Sequence, residues 1–271
     1  MRAASHAALS AAAERFEGIL ANQASQGMDF ATELFSIVDM LDESANLRRA
    51  LTDPARDGQD KADLVTAVIG GKASGEVTDL ISGMVRARWS DDKDLADALS
   101  SLAVTSTLAS AQAQDRLLDV ESEVFQLSRL LTDNRSLRMA LADRELPADQ
   151  RIGLVESLFA DRLSPETLLL VRRVAATLRG RTVPQALSEI GDLAAARRQR
   201  IVATVTTATP PTQEQIDRLG ELLQAQVGQA VHINIDVDPN VLGGMRVQVG
   251  TDVVDATIRA RLEEAGRAIS G

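Results

Sequence analysis

The chain has 271 residues, room for two or three domains, and a net charge of −10 with a pI near 4.8. That charge is repelled by phosphate backbones, which argues against nucleic-acid binding. The lack of cysteine excludes disulfides, thiol catalysis and cysteine-held metal. No apolar run approaches the ~20 residues that cross a bilayer. Apolar residues make up 45% but aromatics only 2%, so the core must come from Ala, Leu, Val and Ile, a composition suited to closely packed helices.

The opening stretch places Leu9, Ala13, Phe16 and Leu20 on one helical stripe. Glu14, Arg15 and Glu17 interrupt its apolar pattern, so it reads as an amphipathic helix rather than a secretory signal, with a cytoplasmic location as the default. Further helices are expected over residues 30–41, 45–51, 59–69, 75–89 and 91–102, the 59–69 helix stopping at Gly70-Gly71. Two more are expected over 103–117 and 165–178. Ser164-Pro165 is a cap followed by proline at the first helical position, and Pro147 opens the preceding helix in the same way.

A shift of 90 residues superimposes one part of this region on another. Phe35 to Leu41 meets Phe125 to Leu131, and Leu47 to Asp53 meets Leu137 to Asp143. Lys61, Leu64 and Val65 meet Arg151, Leu154 and Val155; Ser74, Glu76 and Leu80 meet Ser164, Glu166 and Leu170. The register runs without a gap from Glu33/Glu123 to Leu80/Leu170, which points to duplication rather than shared amphipathic patterning.

The texture changes at residue 201. Ile201 to Thr207 is β-branched and reads as a strand. Pro210-Pro211 ends it, and Thr212 to Gln215 forms a capping box for a helix with Ile216, Leu219, Leu223 and Val227 on one face. Val231 to Val237 alternates with period two, and Met245 to Val249 can form a hairpin with Val253-Val254. A last amphipathic helix opens at Asp255 and carries Ile258, Leu262, Ala265 and Ile269. The fold class is mostly α: two tandem six-helix-type bundles over 1–102 and 103–198, then a small α+β domain over 199–271.

Few side-chain groupings suggest chemistry. Val68 to Ser74 lacks the first glycine and the hydroxyl after lysine that a phosphate loop needs, so it reads as a helix end. His232, Asn234, Asp236 and Asp238 share a strand face, but a single imidazole makes them an ordinary polar face rather than a metal site. Asp91 to Asp94 is an acidic helix start, and Arg197 to Arg200 a basic helix end. Arg86, Arg88 and Trp89 are residue types of partner hot spots, though Trp89 beside an apolar stripe is expected inside its own bundle. No nucleophile stands beside a base, so no catalytic, cofactor or metal site is expected.

The most informative stretch is Val237 to Gly250, in which Pro239 fixes φ, Asn240 tolerates a turn, and Gly243 and Gly244 allow backbone angles closed to other residues. This stretch resembles the C-terminal signature of the delta subunit of F-type ATP synthases, the family of the mitochondrial oligomycin-sensitivity-conferring protein. Its motif positions are Asp238, Pro239, Gly243, Gly244, Gly250 and Asp255; Ala256 and Thr257 stand where the family usually has Gly and Ser. The second repeat is similar to the family's single helical domain, and duplication of that domain resembles the arrangement in some actinobacteria. The resemblance implies a non-catalytic stator joint, peripheral on the cytoplasmic face of a bacterial membrane and held there only through its complex. It implies a groove between first and fifth helices for an N-terminal helix of an alpha subunit, and a C-terminal domain that contacts the C-terminal part of the b subunit. Matching positions in the second repeat are Leu108, Leu168, Val171 and Val174; in the first they are Leu9, Phe16, Leu80 and Met84. Ile258 and Leu262 are the C-terminal candidates. The extra helical domain suggests a hold on a second partner segment, another alpha N-terminus or part of b. Residues outside the C-terminal signature leave a general helical-repeat adaptor as the alternative.

Overall fold

In the computed structural model the described residues are 1–143, 145–198, 201–227, 231–238, 241, 244–249 and 252–255. The chain divides into two compact units, Met1–Ala195 and Ala196–Gly271.

The first unit is helical. Helix α1 (Ala3–Gln23) leads through a 3₁₀ turn into α2 (Gly27–Glu43), then α3 (Ala45–Thr52), α4 (Gly58–Ile69) and α5 (Gly75–Arg86). Helix α6 (Asp94–Ala113) follows, then α7 (Leu117–Asp133), α8 (Arg135–Ala142), α9 (Ala148–Phe159), α10 (Pro165–Ala176) and α11 (Val183–Arg198). Helices α2 to α5 and α7 to α10 begin and end 90 residues apart, as the duplication requires.

Polar anchors are duplicated with the helices. Ser74 donates from its hydroxyl to Glu33 at 2.7 Å, and Ser164 donates to Glu123 at the same distance. Both serines also cap their helices, α5 and α10, by accepting an amide three residues on. Arg48 Nη1 donates to the carbonyls of Leu41 and Asp42 at the end of α2; Arg138 does the same to Leu131 and Thr132 at the end of α7. These cations meet unsatisfied C-terminal carbonyls, where the helix dipole favours them.

Two expectations change in detail. The helices expected over 91–102 and 103–117 are one, α6, which has no Gly or Pro to break it and crosses position 102/103. Its start is delayed to Asp94 because Asp91 turns its carboxylate onto the Lys93 amide, and Ser90 donates its amide to Ser5. Pro147 occupies the cap position of α9 rather than its first turn.

Each repeat has its own core. One gathers Phe16, Leu20, Phe30, Leu34, Leu80, Trp89 and Leu99; the other Leu108, Val120, Val124, Val155, Leu170 and Leu187. Helix α6 supplies both. Trp89 is buried as expected, its indole N–H donating to Met84 O at 2.9 Å.

The second unit is a four-stranded sheet in the order β2-β1-β3-β4, with β1 (Ile201–Thr207), β2 (Val231–Val237), β3 (Met245–Val249) and β4 (Asp252–Asp255). Strands β1 and β2 run parallel, joined by α12 (Gln213–Val227), which lays Leu219 and Leu223 against Ala203, Val205 and Val247. The parallel pairing has no signature in the alternation of β2 and comes from the crossover helix. Strands β3 and β4 form the expected hairpin, and the capping box forms as read: Thr212 Oγ1 accepts the Gln215 amide and Gln215 Oε1 accepts the Thr212 amide.

Candidate docking interface

Helical spacing alone does not say which stripe of a helix faces outward, and here the stripes named in the sequence face inward. Phe16, Leu80, Met84, Leu108 and Val171 lie in the cores of their bundles; Phe16 and Leu80 are 0% and 1% exposed. As placed, these side chains pack the bundle cores rather than stand on its surface. Leu9 and Leu168 are half-buried against the same cores. Val174 is the exception: although mostly buried, it lines a groove.

That groove measures about 540 Å³ and runs between α6, α10 and α11, with Val104, Leu170, Ile190 and Leu193 among its walls and Met1 and His6 at its end. Its basic side carries Arg173, Arg179 and Arg181. Arg173 pairs with Asp39 at 2.5 Å and lies 5.0 Å over the Phe35 ring. Arg179 pairs with both Asp42 and Asp97. Its φ of 48° is unusual for a side chain with a Cβ, and the two carboxylates hold it there. Helix α10 and the turn after it thus fasten the second repeat to α2 and α6 of the first.

A second groove, about 580 Å³, opens between α7 and α11 and is lined by Leu118, Val124, Phe125, Leu187 and Gly191 with Glu121 and Asp192. Phe125 is 63% exposed and Leu118 60%. The corresponding α2 and α6 are closely packed. A Cβ on Gly27 would lie 2.7 Å from Ser106 O, and the Ser106 hydroxyl donates to Gly27 O at 2.8 Å. At the positions of Gly27 and Ala31, α7 carries the bulkier Leu117 and Glu121. The sequence held this signal: the repeat alignment extended back to 27/117 marks the two substitutions.

In the C-terminal unit, the signature turn is held by the Asp238 amide on Thr207 O at 2.9 Å and the Val241 amide on Asp238 O at 3.1 Å. Gly244 has φ +81°, the freedom expected of it. Asp255 is the last residue of β4. Pro239, Gly243, Gly250, Ile258 and Leu262 lie outside the described residues, as does the last expected helix. Leu222 and Val237 present exposed apolar surface on this unit. No group of three His, Asp or Glu among the described residues is placed to hold a metal ion.

The arrangement supplies apolar grooves edged by charge, suited to gripping helices. Comparison with known proteins shows the family. The family model described as ATP synthase delta (OSCP) subunit matches residues 97–269, which begin within α6 and take in the second repeat and the C-terminal unit. The protein named ATP synthase subunit delta from Beutenbergia cavernae is 52% identical over 271 residues, covering both chains completely. Proteins of the same name from Streptomyces griseus and Streptomyces avermitilis are 41% and 44% identical, covering 100% and 97% of this chain. The chain belongs to the ATP synthase delta (OSCP) subunit family.

Proposed function

We propose that this protein is a non-catalytic peripheral-stalk subunit of an F-type ATP synthase, which ties the top of the catalytic head to the b subunit so that rotor torque drives ATP synthesis. The observation that carries the reading is the end-to-end match to relatives named for that subunit, on a fold that supplies helix-lined grooves. The working parts are the two helical repeats, over 1–102 and 103–198, and the α+β domain over 199–271, with α6 as a rigid splint between the repeats. The α6–α10 groove, with Val174 in its wall, takes the N-terminal amphipathic helix of an alpha subunit. The C-terminal domain contacts the C-terminal part of b, for which Leu222, Val237 and the Val237 to Gly250 turn are the available surface.

No helix among the described residues is long and apolar enough to cross a membrane. The proposed place is the cytoplasmic face of the cell membrane, held through the complex. The test is co-purification of the tagged chain from its native membranes under conditions that keep the motor assembled. Recovery of alpha, beta and b subunits is expected; their absence would contradict the reading. Replacing Val104 and Leu193 by Glu is expected to lose alpha while retaining b.

A further inference from the structure

The two repeats differ in what covers one face. Phe35 on α2 is 5% exposed, whereas its duplicate Phe125 on α7 is 63% exposed. Phe35 is covered from within the chain. Arg173 of α10 stacks on its ring and pairs with Asp39, Leu169 of α10 packs on the first core, and Arg179 bridges Asp42 of α2 and Asp97 of α6. The cover on the α2–α6 face is therefore a basic amphipathic helix. On the second repeat the equivalent Phe125 has no such cover among the described residues.

We propose that the α7–α11 groove is a docking site for a basic amphipathic helix supplied by another subunit of the assembly. The occupant's chemistry follows from the internal precedent and from the groove. Its apolar stripe fills the space walled by Leu118, Phe125, Leu187 and Gly191. Its cation lies on the Phe125 ring, as Arg173 lies on Phe35. The ionic anchor shifts: Asp39 is replaced by the exposed Arg129, while acidic groups now stand about two turns earlier at Glu121 and across the groove at Asp192. The site is distinct from the α6–α10 groove, and it rests on the stalk reading only for the statement that the helix comes from a subunit of that complex.

The probe is a synthetic peptide with blocked ends that copies the internal cover, residues 163–181. It carries Arg172, Arg173, Arg179 and Arg181 against Glu166, a net charge of +3. Titrated in labelled form into the full chain, it is expected to bind saturably. Phe125→Ala is expected to weaken binding about tenfold, the loss of one hot-spot side chain. Glu121→Gln with Asp192→Asn is expected to weaken it several-fold and to flatten its salt dependence. Leu222→Ala, exposed on the other unit, should change nothing, and circular dichroism confirms that each variant is folded.

No saturable binding up to about 1 mM, the range of contacts too weak to specify a partner, overturns the proposal. So does equal affinity for wild type and Phe125→Ala. Binding that appears only when Ile258 and Leu262 are changed to Glu would mean that the chain's own last segment covers the groove. A dimer that Phe125→Glu converts to monomer would mean that a second copy does. Each of these outcomes leaves the co-purification test of the stalk reading untouched.

Discussion

Gly27 offers a sharp test of how the first repeat is packed. A Cβ built there lies 2.7 Å from Ser106 O and 3.1 Å from Ser110 Cβ. The first of these is backbone on a long helix and cannot swing aside. Gly27→Ala must therefore move α2 away from α6, stretching the 2.8 Å hydrogen bond from Ser106 to Gly27 O. Overpacking of this kind costs about 1–3 kcal/mol, and a weakened buried hydrogen bond about 1 kcal/mol more. Better helix propensity returns less than about 1 kcal/mol at the first residue of a helix, leaving a net loss of about 2 kcal/mol.

Gly153, in the middle of α9, has nothing within 4 Å of its added Cβ, and Gly153→Ala should stabilise by about 0.5–1 kcal/mol. Trp89, the chain's single tryptophan, lies in the first core and reports its unfolding by fluorescence in urea. With an m-value of about 3 kcal/mol/M, Gly27→Ala should lower the midpoint by about 0.7 M. Gly153→Ala should leave the Trp89 transition unchanged or raise it. A midpoint for Gly27→Ala within about 0.1 M of wild type would refute the close α2–α6 packing on which the comparison of the repeats rests.

Other consequences are open to measurement. Arg179→Ala keeps the strained backbone and loses the pairs with Asp42 and Asp97, whereas Arg179→Gly relieves the backbone; thermal melts should place Gly about 1 kcal/mol above Ala. In a double-mutant cycle, Arg173→Ala and Asp39→Ala should couple by about 0.5–1 kcal/mol, since Asp39 is half exposed, and additivity would show that the pair does not join the repeats. Ser164→Ala removes both the cap of α10 and the bond to Glu123 and should cost about 1–2 kcal/mol by denaturant titration. The Asp91 carboxyl is held below its ordinary value of 3.8, chiefly by the Lys93 amide. A depressed folded pKa gives stability that is present above that value and lost as the pH falls below it. Asp91→Asn should thus be less stable than wild type at neutral pH, with the difference shrinking as the pH falls below the ordinary value of 3.8.

Local chemistry carried most of this fold into the sequence. Caps at Ser164 and Thr212, the stop at Gly70 and the period-two strand over Val231–Val237 each rest on a few adjacent residues, and each formed as read. The duplication was legible because core positions repeat at a fixed spacing. The continuity of α6 was not, because the repeat boundary suggested a break where no residue enforces one. The docking faces were least legible. An apolar stripe at helical spacing marks the side of a helix that packs first, so Phe16 and Leu80 went to the core. The outward surface depends on how far apart two helices sit, and α7 carries the bulkier Leu117 and Glu121 where α2 has Gly27 and Ala31.

The most direct test of the stalk assignment is proton-driven ATP synthesis in membrane vesicles from cells depleted of this chain, measured beside ATP hydrolysis by the detached head. The account predicts that synthesis is lost, that hydrolysis by the head persists, and that adding back the purified chain restores synthesis. Undiminished synthesis in depleted vesicles whose motors remain assembled would contradict it.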